Sequence, residues 1–194
     1  RNPFAAAHPL YILVETMGME AGRDSEVLTE TLAEFVEGHP EADAVLASSL
    51  AEAGELWRIR DSSGEAVRAI APSAGFDVSL PIEEMEGWVA SIHAALRGIG
   101  LSVFQTYGHV ADGNLHLVVG YPADQPEQKK RINDLVYRSI GDLGGSVSAE
   151  HGVGLEKKPY LALSRSPAEI ALMRSLKAAI DPHGLLNAGR IFDA

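Results

Sequence analysis

The stretch Tyr107–Val119, "YGHVADGNLHLVV", decides how this chain is read. Asp-Gly is among the strongest two-residue hairpin turns, because a type I′ turn needs positive φ at both central positions. Counting outward from Asp112-Gly113 pairs Ala111 with Asn114, Val110 with Leu115 and His109 with His116. Directly opposed residues hold their Cβ atoms about 4.5–5.5 Å apart on one face. That brings two imidazoles within reach of a shared metal ion, bound at about 2.0–2.1 Å from each ring nitrogen. The period-two rule sorts the remaining residues. Phe104, Val110, Leu115, Leu117 and Val119 share a face suited to packing under helices, while Gln105, Tyr107, His109, Asn114 and His116 share the other. A polar face carrying opposed histidines is costly to leave dry and unpaired. It reads as the wall of a site.

A second stretch, Ser148–Gly154 "SAEHGVG", supplies the missing ligand. Glu150 and His151 are expected to end a short strand, "GSVSAE", and to enter a glycine-rich turn where backbone can approach a ligand closely. Two histidines and a carboxylate leave coordination positions open, the pattern of catalytic rather than closed structural metal sites. Zinc or manganese suits such a set, and spacing does not choose between them. The remaining histidines read differently. His93 lies in a helix beside Val89 and Leu96, and His8, His39 and His183 stand next to proline or glycine in loops.

Strands and helices alternate around this hairpin. Leu10–Gly18 and Ala42–Ser48 are apolar and β-branched enough to be expected as strands, as is Gly75–Pro81. Helices are expected at Asp24–Val36, through "LAEAGELWRIR", from Met85 to about Gly98 or Gly100, and from about Glu127 to Leu143. The last helix starts at Ser166-Pro167-Ala168-Glu169, which offers a capping serine, a first-turn proline and a capping-box glutamate. A tight hairpin favours an antiparallel or mixed α+β sheet over a doubly wound parallel one. No glycine pattern of the dinucleotide or phosphate-loop type follows a strand.

Composition narrows the function. Sixteen Lys and Arg against 27 Asp and Glu leave a net charge of −11, which disfavours nucleic-acid and anionic-membrane partners. Without cysteine there is no disulfide, thiolate metal site or cysteine nucleophile. No signal-peptide pattern and no apolar run of membrane-spanning length occurs, so a cytoplasmic location is expected. The opening "RNPFAAAHPL" has no initiating methionine and suggests a piece of a longer protein.

Three ordered motifs, "GHVADGNLH", "SAEHGVGLEKKPYL" and "DPHGLLNAGRIF", resemble the C-terminal domain of FAD-linked oxidases of the vanillyl-alcohol-oxidase type. The likeness is greatest to the branch that includes D-2-hydroxyglutarate dehydrogenase, D-lactate dehydrogenase and the glycolate oxidase flavin subunit, and it runs over nearly the whole chain. The resemblance implies a ferredoxin-like cap domain, residues 1–194, over a flavin held mainly by a separate N-terminal FAD-binding domain that this chain lacks. It further implies His109, His116 and Glu150 as metal ligands, His151 as the catalytic base, Arg60 of "LWRIRD" as the holder of the substrate carboxylate, and Asn187 of "LLNAGR" as a residue returning toward the flavin. The implied activity is oxidation of a D-2-hydroxy acid with hydride transfer to FAD, and the chain is compatible with a homodimer. Where Gly64 and Gly75 stand, the 2-hydroxyglutarate enzymes resemble this chain with a threonine and a lysine, and they have an asparagine in place of Val118. These departures argue against a second substrate carboxylate at the usual place. Read from the residues alone, the same His-His-Glu set also suits a flavin-independent metal hydrolase or a metal-binding module.

Overall fold

A computed structural model describes residues 2–193, which divide into two compact units meeting between Ala66 and Val67. The N-terminal unit holds helices α1 (Ala21–Gly38) and α2 (Leu50–Asp61), and α3 (Ser63–Arg68) runs across the division. Ser49 caps α2, its side chain accepting the N–H of Glu52. The strands expected at Leu10–Gly18 and Ala42–Ser48 do not form. Apolar, β-branched composition supplies strand propensity but not a partner, and a strand without a ladder gains little. Neither run joins a sheet among the described residues, and Leu10, Ile12 and Val14 stay exposed. No helix among the described residues is long and apolar enough to cross a membrane.

The C-terminal unit carries β1 (Ser73–Ser79), α4 (Ile82–Gly98), β2 (Phe104–His109), β3 (Asn114–Gly120), α5 (Glu127–Asp142) and α6 (Pro167–Ile180). The strands form one antiparallel sheet in the order β1-β3-β2. Ser79 also bridges to Ser146 on the free edge of β1. With that bridge in the fourth place, the succession of elements and their order in the sheet follow the ferredoxin-like β-α-β-β-α-β pattern. The expected strand "GSVSAE" is thus reduced to a single bridge. Ser146 and Ala149 still donate to β1 carbonyls, but Val147 N–H goes to Ser164 Oγ at 2.8 Å and the amides of Glu150 and the following His151 go to the Asp77 carboxylate.

One face of the sheet is the core. Ala74, Phe76 and Val78 from β1 and Leu115, Leu117 and Val119 from β3 point into it. Met85, Trp88, Ile92 and Leu96 recur at helical spacing along α4, as Ile132, Val136 and Ile140 do along α5, so each helix buries one stripe on the strands. Burying each large side chain contributes about 1.5–3 kcal/mol. Trp88 ties the two helices, donating its indole N–H to Ser139 Oγ at 2.9 Å. The capping box read at Ser166 and Glu169 opens α6 as expected.

The hairpin differs in register. His109 faces Asn114 and His116 faces Tyr107, so the loop is Val110–Gly113, with Val110–Asp112 in a 3₁₀ turn. Asp112 Oδ1 accepts the Asn114 N–H at 3.2 Å, and Gly113 is left-handed at φ 72°. Gly113 also docks the loop on the chain after β1. Its carbonyl accepts the Leu80 N–H at 3.0 Å, and a Cβ there would stand 2.4 Å from the Leu80 carbonyl oxygen. The slip from the expected register is by two positions, so every strand residue keeps its face. Val110 alone changes fate, leaving the expected core face for the exposed loop.

Candidate functional site

The sheet's other face is built in rungs. Asp77, His116 and Tyr107 lie side by side across β1, β3 and β2, and Ser79, Asn114 and His109 form the next rung. His109 and His116 therefore meet diagonally rather than as a directly opposed pair, with ring centroids 5.5 Å apart at 86°. The loop after the Ser79–Ser146 bridge brings Glu150 and His151 over these rungs. Glu150 Oε1 lies 3.2 Å from His109 Nδ1, and the His151 ring stacks on that of His116 at 5.8 Å. One donor atom from each of His109, His116 and Glu150 falls within 4.8 Å of the others. The residues singled out at the hairpin and at "SAEHGVG" thus come together.

The reading from sequence missed Asp77, which organises this group. Its side chain is 1% exposed, and Oδ2 accepts the backbone N–H groups of Glu150 at 2.9 Å and His151 at 2.8 Å. Lys157 Nζ lies 3.3 Å from the same oxygen and donates to the Asp77 carbonyl at 3.1 Å and to Ser148 Oγ at 2.9 Å. Burial pushes the Asp77 carboxyl up, but the amides of His151 and Glu150 and the Lys157 ammonium outweigh it and hold it at about 2. Asp77 is ionised across the physiological range. A signal was available, since an Asp between Phe76 and Val78 puts a charge on the face opposite the core.

His116 is buried too. Burial lowers its proton affinity while the charges of Asp77 and Glu150 oppose that, with a net shift downward. A neutral imidazole is the form that can ligate a cation. Asn114 is 2% exposed, and neither its amide nitrogen nor its amide oxygen has a hydrogen-bond partner. His93 stays apart from the group, its Nε2 2.8 Å from Thr106 Oγ1.

Comparison with known families places this arrangement. The model of the "FAD linked oxidases, C-terminal domain" family matches residues 2–191. The chain belongs to this family. A mitochondrial D-2-hydroxyglutarate dehydrogenase of Arabidopsis thaliana is 35% identical over 191 residues, covering 98% of this chain and 34% of that protein. The corresponding protein of Rattus norvegicus is 37% identical over 179 residues, or 92% and 33% of the two chains. A D-2-hydroxyglutarate dehydrogenase of Xanthomonas citri pv. viticola is 36% identical over 198 residues, or 98% and 41%. The chain spans only about a third to two fifths of the length of these curated relatives.

Within this FAD-linked oxidase C-terminal domain, two of the positions singled out from sequence as bearing on substrate, Gly75 and Val118, fall on one rung. Gly75 pairs with Val118 on the site face, one rung from Asp77 and His116, and a Cβ on Gly75 would meet nothing within 4 Å. The other two residues named for the site are placed differently. Asn187 sits in an exposed turn at φ 51°, and its side chain makes no hydrogen bond to the group just described. Its segment is nonetheless tied near the glycine-rich loop: Ile191 N–H donates to the Gly154 carbonyl at 3.0 Å, and Lys158 Nζ to the Gly189 carbonyl at 2.9 Å. Arg60 lies at the end of α2 in the N-terminal unit, its guanidinium 3.3 Å from Asp61 Oδ1.

Proposed function

We propose that the chain is the substrate-side domain of an FAD-dependent dehydrogenase that oxidises a D-2-hydroxy acid with the help of a divalent cation. The observation that carries this is the convergence of His109, His116 and Glu150 donor atoms within 4.8 Å, with His151 beside them. Two imidazole nitrogens and a carboxylate oxygen form a donor set that fits zinc or manganese. The relatives named above, D-2-hydroxyglutarate dehydrogenases, point to the same substrate class.

FAD, bound chiefly by a separate domain, supplies the hydride acceptor. A cation held by His109, His116 and Glu150 supplies Lewis-acid polarisation of the substrate hydroxyl. The protein's own groups do the rest. His151, with a side chain 66% exposed, is open to substrate and accepts the hydroxyl proton. Its Nδ1 stands 3.9 Å from Asp77 Oδ2, so the positive charge it gains faces a fixed negative one. To Arg60 we assign the holding of the substrate carboxylate, on the strength of its motif and of the paired hydrogen bonds a guanidinium offers. To Asn187 we assign a place toward the flavin, for the same reason of motif. Gly75 and Val118 leave their rung without a charge to meet a second carboxylate, which favours a short 2-hydroxy acid such as lactate or glycolate over 2-hydroxyglutarate.

The test uses the protein extended to include the flavin domain. Anaerobic addition of D-lactate, glycolate or D-2-hydroxyglutarate should bleach the flavin absorption, and His151→Ala should lower kcat far more than it raises KM. A flavin that no 2-hydroxy acid reduces would reject the activity.

A further inference from the structure

We infer that Asp77 is a positioning residue, whose buried carboxylate fixes the Glu150–His151 backbone through one oxygen and orients the His116 ring through the other. Its consequence for cation binding rests on the function proposed above; its geometry does not.

The two oxygens of this carboxylate are in unequal surroundings. Oδ2 collects the amides of Glu150 and His151, the Lys157 ammonium and, at 3.5 Å, the Ser148 hydroxyl. Oδ1 has no hydrogen-bond partner although the side chain is 1% exposed. A buried carboxylate oxygen without a donor is costly. His116 Nδ1 faces it at 3.9 Å, across the register that pairs Asp77 with His116. With its proton on Nδ1, His116 becomes the missing donor once that gap closes slightly, and its Nε2 lone pair is left for a cation. Ligating histidines are commonly fixed this way by an outer carboxylate.

Asp77 is better suited to this role than to being a ligand itself. One donor atom from each of Asp77, His116 and His151 also falls within 4.8 Å of the others. However, Oδ2 is already committed to two amides, and the Lys157 ammonium 3.3 Å away repels a cation placed there. Among the described residues, no lysine ammonium pairs with the Glu150 carboxylate, whose ion-pair partner is His109. One strand residue thereby sets the place of a ligand loop, a base and a ligand ring that are far apart in sequence.

The test uses the 194-residue chain and manganese or zinc ions alone. Long-range proton–nitrogen NMR correlation of the metal-free wild type should show His116 protonated on Nδ1; a ring protonated on Nε2 would overturn the assignment. Asp77→Asn preserves shape but removes the charge and one acceptor. It should weaken cation binding by about 10–100-fold in calorimetric titration, move His116 toward the other tautomer, and speed amide exchange at Glu150 and His151. A folded Asp77→Asn protein with wild-type affinity, tautomer and exchange would refute the idea. Should that variant fail to fold, the wild-type tautomer and the protection of the two amides decide alone. A wild type that binds no cation sinks the metal reading, while the tautomer and exchange results still decide the role of Asp77.

Discussion

Asp77 Oδ2 accepts the His151 N–H at 2.8 Å although the two residues stand 74 positions apart in sequence. That bond joins β1 of the C-terminal unit to the loop bearing Glu150 and His151, and Lys157 balances the buried charge. Removing one partner of a buried pair leaves the other charge uncompensated, at a cost of about 3–5 kcal/mol. Lys157→Met is therefore expected to destabilise the chain by about that amount in urea denaturation. A loss within a few tenths of a kcal/mol would mean that the ammonium does not compensate Asp77.

The two kinds of histidine separate by metal content. Elemental analysis should find about one divalent cation per chain, as expected for a three-ligand open site. His116→Ala should remove most of it, because His116 belongs to both donor groups. His93→Ala should leave it unchanged, since His93 bonds Thr106 and lies outside them. Equal loss in both variants would point to a general effect on folding.

How far the site could be read from sequence follows from what each signal encodes. Strand faces were legible, because side chains alternate with period two whatever the register. That is why His109 and His116 were rightly placed on one face while their pairing was wrong by two positions. The register itself depends on Leu80 N–H meeting the Gly113 carbonyl, a contact no local pattern announces. The helices α4, α5 and α6 were legible from apolar spacing and capping residues. Leu10–Gly18 and Ala42–Ser48 were misread because composition reports propensity, whereas a strand also needs a neighbour. Asp77 carried only the signal of a charge on the face opposite the core, because the Glu150 and His151 amides it accepts leave no trace in the sequence.

Gly113 should tolerate no side chain. A left-handed residue other than glycine costs about 1–2 kcal/mol, and here a Cβ would also press on the Leu80 carbonyl oxygen at 2.4 Å. Gly113→Ala is expected to lose about 2 kcal/mol or more in urea denaturation and to weaken cation binding, because the hairpin that places His109 must shift. Wild-type stability in this variant would show that the loop relaxes without cost.

Tyr160 gives the pH dependence that is simplest to isolate. Burial, and then the hydrogen bond its hydroxyl donates to Asp134 Oδ1 at 2.8 Å, push its phenol up to about 12 from an ordinary 10.0. A folded-state value above the unfolded one means that the neutral phenol is what the fold stabilises. That contribution is complete below about pH 10 and is lost as pH rises from 10 toward 12. Burial raises the Tyr137 phenol as well, and its ring packs 4.5 Å from that of Tyr160. Phenolate absorption from these two should therefore appear only at the alkaline end, together with unfolding. Tyr160→Phe should cost about 1.5–3 kcal/mol at neutral pH, the range for a hydrogen bond to a charged group. Its stability should also fall less steeply between pH 10 and 12 than that of the wild type. Parallel wild-type and variant profiles over that interval would show that Tyr160 ionises without resistance from the fold.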